Sequence, residues 1–236
     1  MAAPDAPPQV IAMHGWVGDS SQWRPWREAA TALGWSWCSG ERGYGDLPPV
    51  TPRWQPAGRR LVIVHSLGLH LLPAEVLATA DAVVLLASFG RFVPPGRAGR
   101  SLKAALAGMA AALADPHEAR AMLRRFLVEA AAPDPIEAMP PGPADAALSA
   151  SGLERLRADL ALLERSEGVP EPFPRQAPTL VVEAGADRVV VPAARALLRE
   201  ELPGAAVIEL ANAGHALLTA PVLDPVLDWL RRPRER

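Results

Sequence analysis

Apolar and polar positions follow two rhythms along the chain. Strand-length apolar blocks occur at Gln9-Val10-Ile11-Ala12-Met13, from about Trp35 to Ser39, at Arg60-Leu61-Val62-Ile63-Val64, at Asp81-Ala82-Val83-Val84-Leu85-Leu86-Ala87, at Thr179-Leu180-Val181-Val182-Glu183-Ala184 and at Ala206–Leu210. Nearly continuous apolar runs of this length suit strands covered on both faces. Helical spacing fills the gaps: Gln22–Leu33 behind a capping cluster Asp19-Ser20-Ser21, a run from Gly68 to about Thr79, Pro192–Glu201 and Pro221–Arg231. This alternation predicts a mostly parallel sheet flanked by helices, an α/β architecture. The segment Leu47–Gly58 holds Pro48, Pro49, Pro52 and Pro56 and is not expected to be helical.

The rhythm breaks once. Between Gly90 and Gln176 strand blocks vanish, and two helical tracts, Leu102–Ala114 and Asp115–Ala131, are followed by a proline-rich breaker from Pro133 to Pro143 and a helix near Leu153–Arg165. Residues 90–176 are expected to form a helical cap inserted into a core made of 1–89 and 177–236. The cap should stand on the sheet's C-terminal edge, where α/β folds bind ligands.

Composition narrows the function classes. A chain of 236 residues with 50% apolar residues can build one ordinary core. A net charge of −2 with 21% charged residues argues against a nucleic-acid binder acting through bulk positive charge. A single cysteine, Cys38, excludes an internal disulfide framework and suits a reducing cytoplasm. The start, Met1-Ala2-Ala3-Pro4-Asp5-Ala6-Pro7-Pro8, lacks the basic and apolar regions of a secretory signal. No run approaches the roughly 18 apolar residues of a membrane span. The expectation is a monomeric cytoplasmic protein without metal or cofactor, because no His, Cys or carboxylate set has metal-ligand spacing and Gly43-Tyr44-Gly45 is too short for a phosphate loop.

Ser66 lies between an apolar strand and a helix, in Val64-His65-Ser66-Leu67-Gly68. A sharp turn there exposes the hydroxyl and requires small neighbours. Gly68 supplies one, whereas Val64 stands where the common pattern has Gly. A serine in this position serves equally well as a helix cap. Two further residues change the reading. Asp187 follows the strand ending at Ala184, and His215 follows the next strand, giving the order Ser, acid, His on one sheet edge. Ser66, Asp187 and His215 are the expected nucleophile, orienting acid and base. The oxyanion donors should be the N–H groups of Leu67 and of Trp16, in the loop His14-Gly15-Trp16. His14 reads as a brace for that loop, His65 and His70 as locally packed or hydrogen-bonded, and Asp224 and Asp228 as a solvated face.

Charge is uneven across the cap. From Arg91 to Arg125 seven bases face two acids, a balance of +5; from Phe126 to Arg175 four bases face nine acids, a balance of −5. The basic part would suit a substrate delivered by an acidic carrier.

Over nearly its whole length the chain resembles the α/β-hydrolase superfamily. The likeness rests on the His14-Gly15-Trp16 loop, the Gly43-Tyr44-Gly45 turn, the serine turn, Gly185-Ala186-Asp187 and Gly214-His215. Within it the chain looks most like the carboxylesterases that cleave the methyl ester of pimeloyl-acyl-carrier protein in biotin synthesis. This narrower likeness rests on His14-Gly15-Trp16, Ser66-Leu67-Gly68, Leu86-Ala87-Ser88 followed by Phe89, Arg125-Phe126-Leu127 and Gly152-Leu153-Glu154-Arg155-Leu156. The resemblance implies the triad and oxyanion donors above. It also implies contacts to substrate or carrier from Trp16, Ser88, Phe89, Arg120, Arg124, Arg125, Phe126 and Arg155, with Arg157 a nearby candidate. Leu69 in place of the usual small residue, and Val64 in place of Gly, depart from the pattern.

Overall fold

The structure is a computed structural model and describes residues 6–145, 148–219 and 221–232. Its six strands form one parallel sheet: β1 (Gln9–Met13), β2 (Ser36–Gly40), β3 (Arg60–His65), β4 (Ala82–Leu86), β5 (Thr179–Ala184) and β6 (Ala206–Leu210), in spatial order β2-β1-β3-β4-β5-β6. Every residue of β1, β4 and β5 is buried, whereas β6 at one edge is half-exposed.

Strand periodicity sorts the core into two layers. Val10, Ala12, Leu61, Ile63, Val84 and Val182 pack on one face against Trp23, Trp26, Val226 and Leu230. They are covered by α1 (Arg24–Ala32) and α8 (Leu223–Arg231). Ile11, Met13, Val62, Val64, Leu85 and Val181 face the other way, against Leu69, Val76, Leu77 and Leu198. There α2 (Gly68–Leu71), α3 (Ala74–Ala78) and α7 (Pro192–Glu201) close the layer. The single helix expected from Gly68 to Thr79 is two short ones. Leu72 precedes Pro73, which disfavours helical backbone, and its ψ of 144° breaks the run. The segment Leu47–Gly58 is non-helical, and its Val50 pairs with Glu41 in an isolated antiparallel bridge.

Register aligns the functional edge. Met13 pairs with Val64, Val64 with Leu85, and His65 with Leu86, so β1, β3 and β4 end nearly level. The loops that follow therefore emerge side by side.

Between β4 and β5 come α4 (Gly96–Ala112), α5 (Pro116–Ala131) and α6 (Ala150–Arg165). The Asp115 carboxylate caps α5 by accepting from His117 and Glu118 N–H, and the Ser149 hydroxyl caps α6 by accepting from Gly152 N–H. α4 starts six residues before the first leucine of its apolar stripe, because residues 96–101 are polar or small and carry no period. Within it, Gly99 is pressed against the Pro94 carbonyl where no Cβ would fit, whereas a Cβ on Gly108 would meet nothing within 4 Å. A mid-helix glycine costs about 1 kcal/mol relative to alanine.

The cap is tied down at several points. The Arg42 guanidinium donates to both Asp159 oxygens at 2.8 and 2.7 Å, and the Tyr44 hydroxyl donates to Asp159 Oδ2 at 2.5 Å. Arg155 donates to the Gly43 carbonyl at 2.8 Å, and the Trp16 indole N–H to the Leu156 carbonyl at 2.9 Å. All four join α6 to loops on the sheet's C-terminal edge. At the end of α5, Ala216 N–H donates to the Ala130 carbonyl at 3.1 Å. Burial, the Asp159 charge and the hydrogen bond to it push the Tyr44 phenol well above its ordinary pKa. Among the described residues no helix is long and apolar enough to cross a membrane.

Candidate active site

Ser66 sits at the turn from β3 into α2 with φ of +54°, a left-handed conformation that costs a non-glycine residue energy. Its N–H donates to the Leu86 carbonyl at 2.9 Å, and its carbonyl accepts from the Ser88 hydroxyl at 2.7 Å. Two glycines make room. A Cβ on Gly68 would collide with the Met13 carbonyl, and one on Gly15 would stand 2.8 Å from the Ser66 Cβ. Val64 and Leu69, the departures from the common pattern, are fully buried in the layer beneath the turn and leave its open side clear. Val17 (φ +63°) and Ala87 (φ +43°) share the left-handed conformation, each just beyond a strand end. Backbone strain is thus concentrated around Ser66, as at functional sites generally.

The structure brings Ser66, His215 and Asp187 into one hydrogen-bonded line. His215 Nε2 is 3.0 Å from the Ser66 hydroxyl, and His215 Nδ1 is 2.9 Å from Asp187 Oδ2. The other Asp187 oxygen accepts from Val189 and Val190 N–H at 2.7 and 2.9 Å. Burial would raise the Asp187 carboxyl, but the His215 ring and these N–H donors hold it below its ordinary pKa. The acid therefore stays ionised, and Nδ1 carries the proton directed at it, leaving Nε2 free to accept from Ser66. All three residues are buried.

Two other histidines support the line. The His65 Nε2–H donates to the His215 carbonyl at 2.8 Å, and burial, aided by the neighbouring His215 ring, drives the His65 pKa down to about 3. His14 Nδ1 is hydrogen-bonded to the Gly15 carbonyl at 2.8 Å, and its Nε2 lies 3.2 Å from the Arg42 backbone nitrogen, which braces the loop carrying Trp16. Glu41 lies 3.4 Å from His14 Nε2. Burial opposes its charge, yet His14 and the N–H groups of Gly43 and Ser20 hold its pKa at about 2. Among the described residues neither Trp16 N–H nor Leu67 N–H has a hydrogen-bond acceptor, so both amides are free to serve an oxyanion beside Ser66.

Above Ser66 opens a cavity of about 490 Å³ between sheet edge and cap. Its buried floor comprises Trp16, Ser66, Phe92, Leu106, Met122 and Leu163, and its exposed rim Ala105, Gly108, Arg125, Glu129 and Arg188. Arg188 and Glu129 form an ion pair at 3.5 Å across that rim.

Of the other residues assigned to substrate from the sequence, Arg125 and Phe126 line this cavity, and Phe126 packs edge-to-face on Trp16 at 5.0 Å. Ser88 and Phe89 do not line it. Ser88 braces the Ser66 carbonyl, and Phe89 is fully buried between His70 and Phe92. Arg120 and Arg124 are exposed on α5 outside the cavity, and Arg155 is engaged with Gly43. The wall formed by Leu102, Leu106 and Met109 was absent from the sequence assignment, although their spacing of four and three residues marks one helix face. Glu129, Arg188 and Val189 also line the cavity, and nothing in their sequence context distinguishes them. Among the described residues no group of three or more His, Cys, Asp or Glu could hold a metal ion.

No family model and no curated protein sequence matches the chain. Solved structures do. An esterase from Exiguobacterium antarcticum aligns over 96% of this chain and 93% of its own, with a TM-score of 0.72 at 13% identity. A bromoperoxidase from Bacillus anthracis aligns over 96% and 93%, with a TM-score of 0.67 at 16% identity. An esterase from Rhodococcus sp. ECU1013 aligns over 97% and 92%, with a TM-score of 0.64 at 21% identity. At these identities the likeness is one of fold. The chain has the α/β-hydrolase fold.

Proposed function

We propose that this protein is a serine carboxylic ester hydrolase. The observation that carries the reading is the Ser66–His215–Asp187 line at the floor of an apolar cavity, with two unengaged amides beside it. His215 Nε2 takes the hydroxyl proton as Ser66 Oγ bonds to the ester carbonyl carbon. The oxygen that becomes negative accepts from Trp16 and Leu67 N–H, each donor contributing roughly 3–4 kcal/mol. When the tetrahedral centre collapses, the C–O bond to the alcohol breaks and His215 returns the proton to the leaving oxygen. Water, deprotonated by His215, then attacks the acyl group, and Ser66 leaves with the proton restored. Asp187 stabilises the imidazolium throughout.

Ser66→Ala should abolish hydrolysis of short-chain esters, and a fluorophosphonate should label wild type and not the variant. Full activity in Ser66→Ala rejects the mechanism, and an unlabelled, inactive wild type points to a non-hydrolytic binding protein or a lyase of the same fold.

The finer reading, that the substrate is the methyl ester of pimeloyl-acyl-carrier protein, is supported by the sequence resemblance and by Arg120, Arg124 and Arg125 exposed on α5 near the cavity. The competing reading is a broad-specificity esterase or thioesterase that needs no carrier. Rescue of a biotin auxotroph lacking its esterase favours the first. Reversing the charge of Arg124 and Arg125 should then impair carrier-linked esters far more than free ones.

A further inference from the structure

The two glycines inside α4 have different reasons to exist. Gly99 is demanded by the protein itself, since the Pro94 carbonyl occupies the space of any side chain. Nothing comparable explains Gly108. Its φ is not positive, no atom lies within 4 Å of an added Cβ, and it stands four residues from the end of a helix that would gain from alanine. It does, however, line the cavity above Ser66, on the exposed rim beside Ala105.

We infer that Gly108 is a specificity-determining residue, kept small so that the substrate can run out of the cavity past α4. This rests on the reading that Ser66 attacks an ester. The buried floor is apolar, and the charged groups that line the cavity, Arg125, Glu129 and Arg188, are on its rim. A substrate matching both has its ester carbonyl at Ser66, a linear apolar chain rising from the floor, and a polar or charged group where the chain leaves. A short acyl group would fit on the floor and never reach Gly108. A longer one crosses the rim, where even one added methyl group narrows the passage.

The test uses the full chain with Gly108→Ala and Gly108→Leu, assayed on p-nitrophenyl acetate and p-nitrophenyl octanoate. Gly108→Ala should melt at or above the wild-type temperature, because its methyl group meets no neighbour within 4 Å and alanine favours the helix. The octanoate-to-acetate ratio of kcat/KM should fall about tenfold or more in Gly108→Leu, chiefly through the octanoate KM, and by less in Gly108→Ala. The inference is overturned if the octanoate-to-acetate ratio is unchanged in Gly108→Leu while wild type cleaves both esters and Ser66 is labelled by a fluorophosphonate. If wild type cleaves neither ester and Ser66 is not labelled, the hydrolase reading and the inference fail together.

Discussion

His65 and His215 lie ring against ring, 5.0 Å between centroids, with the His65 Nε2–H donating to the His215 backbone carbonyl. The residue preceding Ser66 thereby holds the loop that carries His215. Because the folded protein holds His65 as the neutral imidazole, its stability contribution depends on pH.

The sign follows from linkage. The unfolded His65 takes up a proton near pH 6.5, whereas the folded one resists until about 3. The unfolded state therefore binds more protons in between, so stability is full above pH 6.5 and declines as pH falls towards 3, by up to about 1.4 kcal/mol per pH unit. Urea midpoints measured from pH 7 to 4.5 should show this decline, and His65→Gln should flatten it. An equal slope in the variant excludes His65 as its source.

Asp187→Asn tests the orienting acid without removing its shape. Asparagine can still accept from Val189 and Val190 N–H through its oxygen, but its amide would donate towards His215 Nδ1 and leave the proton on Nε2. Ester turnover should drop about 10⁴-fold with little change in thermal stability. Retention of more than a tenth of the activity would remove Asp187 from the mechanism.

Asp159 joins Arg42 and Tyr44 to α6 while itself only 3% exposed. Asp159→Ala strands a buried hydroxyl and a partly buried guanidinium, and should destabilise the protein by about 3 kcal/mol. Tyr44→Phe should cost about 1–2 kcal/mol, since only one hydrogen bond is lost. Denaturation curves for both variants check the order, and a larger loss in Tyr44→Phe would contradict it.

Gly99→Ala and Gly108→Ala make opposite changes to one helix. The first forces a methyl group into the Pro94 carbonyl and should lower the melting temperature; the second should raise stability by up to about 1 kcal/mol. Calorimetry of the pair suffices, and the same sign for both would refute the contrast.

Much of this was legible in the sequence because the strands are buried on both faces and read as uninterrupted apolar blocks. The order of Ser66, Asp187 and His215, just beyond the ends of β3, β5 and β6, points to their meeting without any distance. Three things were not legible. Pro73 divides the helix after Ser66, a local steric effect that the apolar period conceals. Ser88 and Phe89 follow the end of β4 at the sheet edge that carries the site, yet one turns to the Ser66 carbonyl and the other into the core. The partnership of Glu129 with Arg188 joins residues 59 apart, and only the packing of α5 over the sheet edge brings them together.

Trp16 has a double allegiance. It lines the cavity above Ser66, while its indole N–H is fastened to the Leu156 carbonyl of α6. The helical insertion is consequently no detachable accessory: an excised sheet-and-helix core would retain Ser66, His215 and Asp187 but lose the anchor that sets the loop opposite them. Exchanging this insertion for a different one would also replace the anchor of the Trp16 loop, so the geometry around Ser66 would change along with the cavity wall.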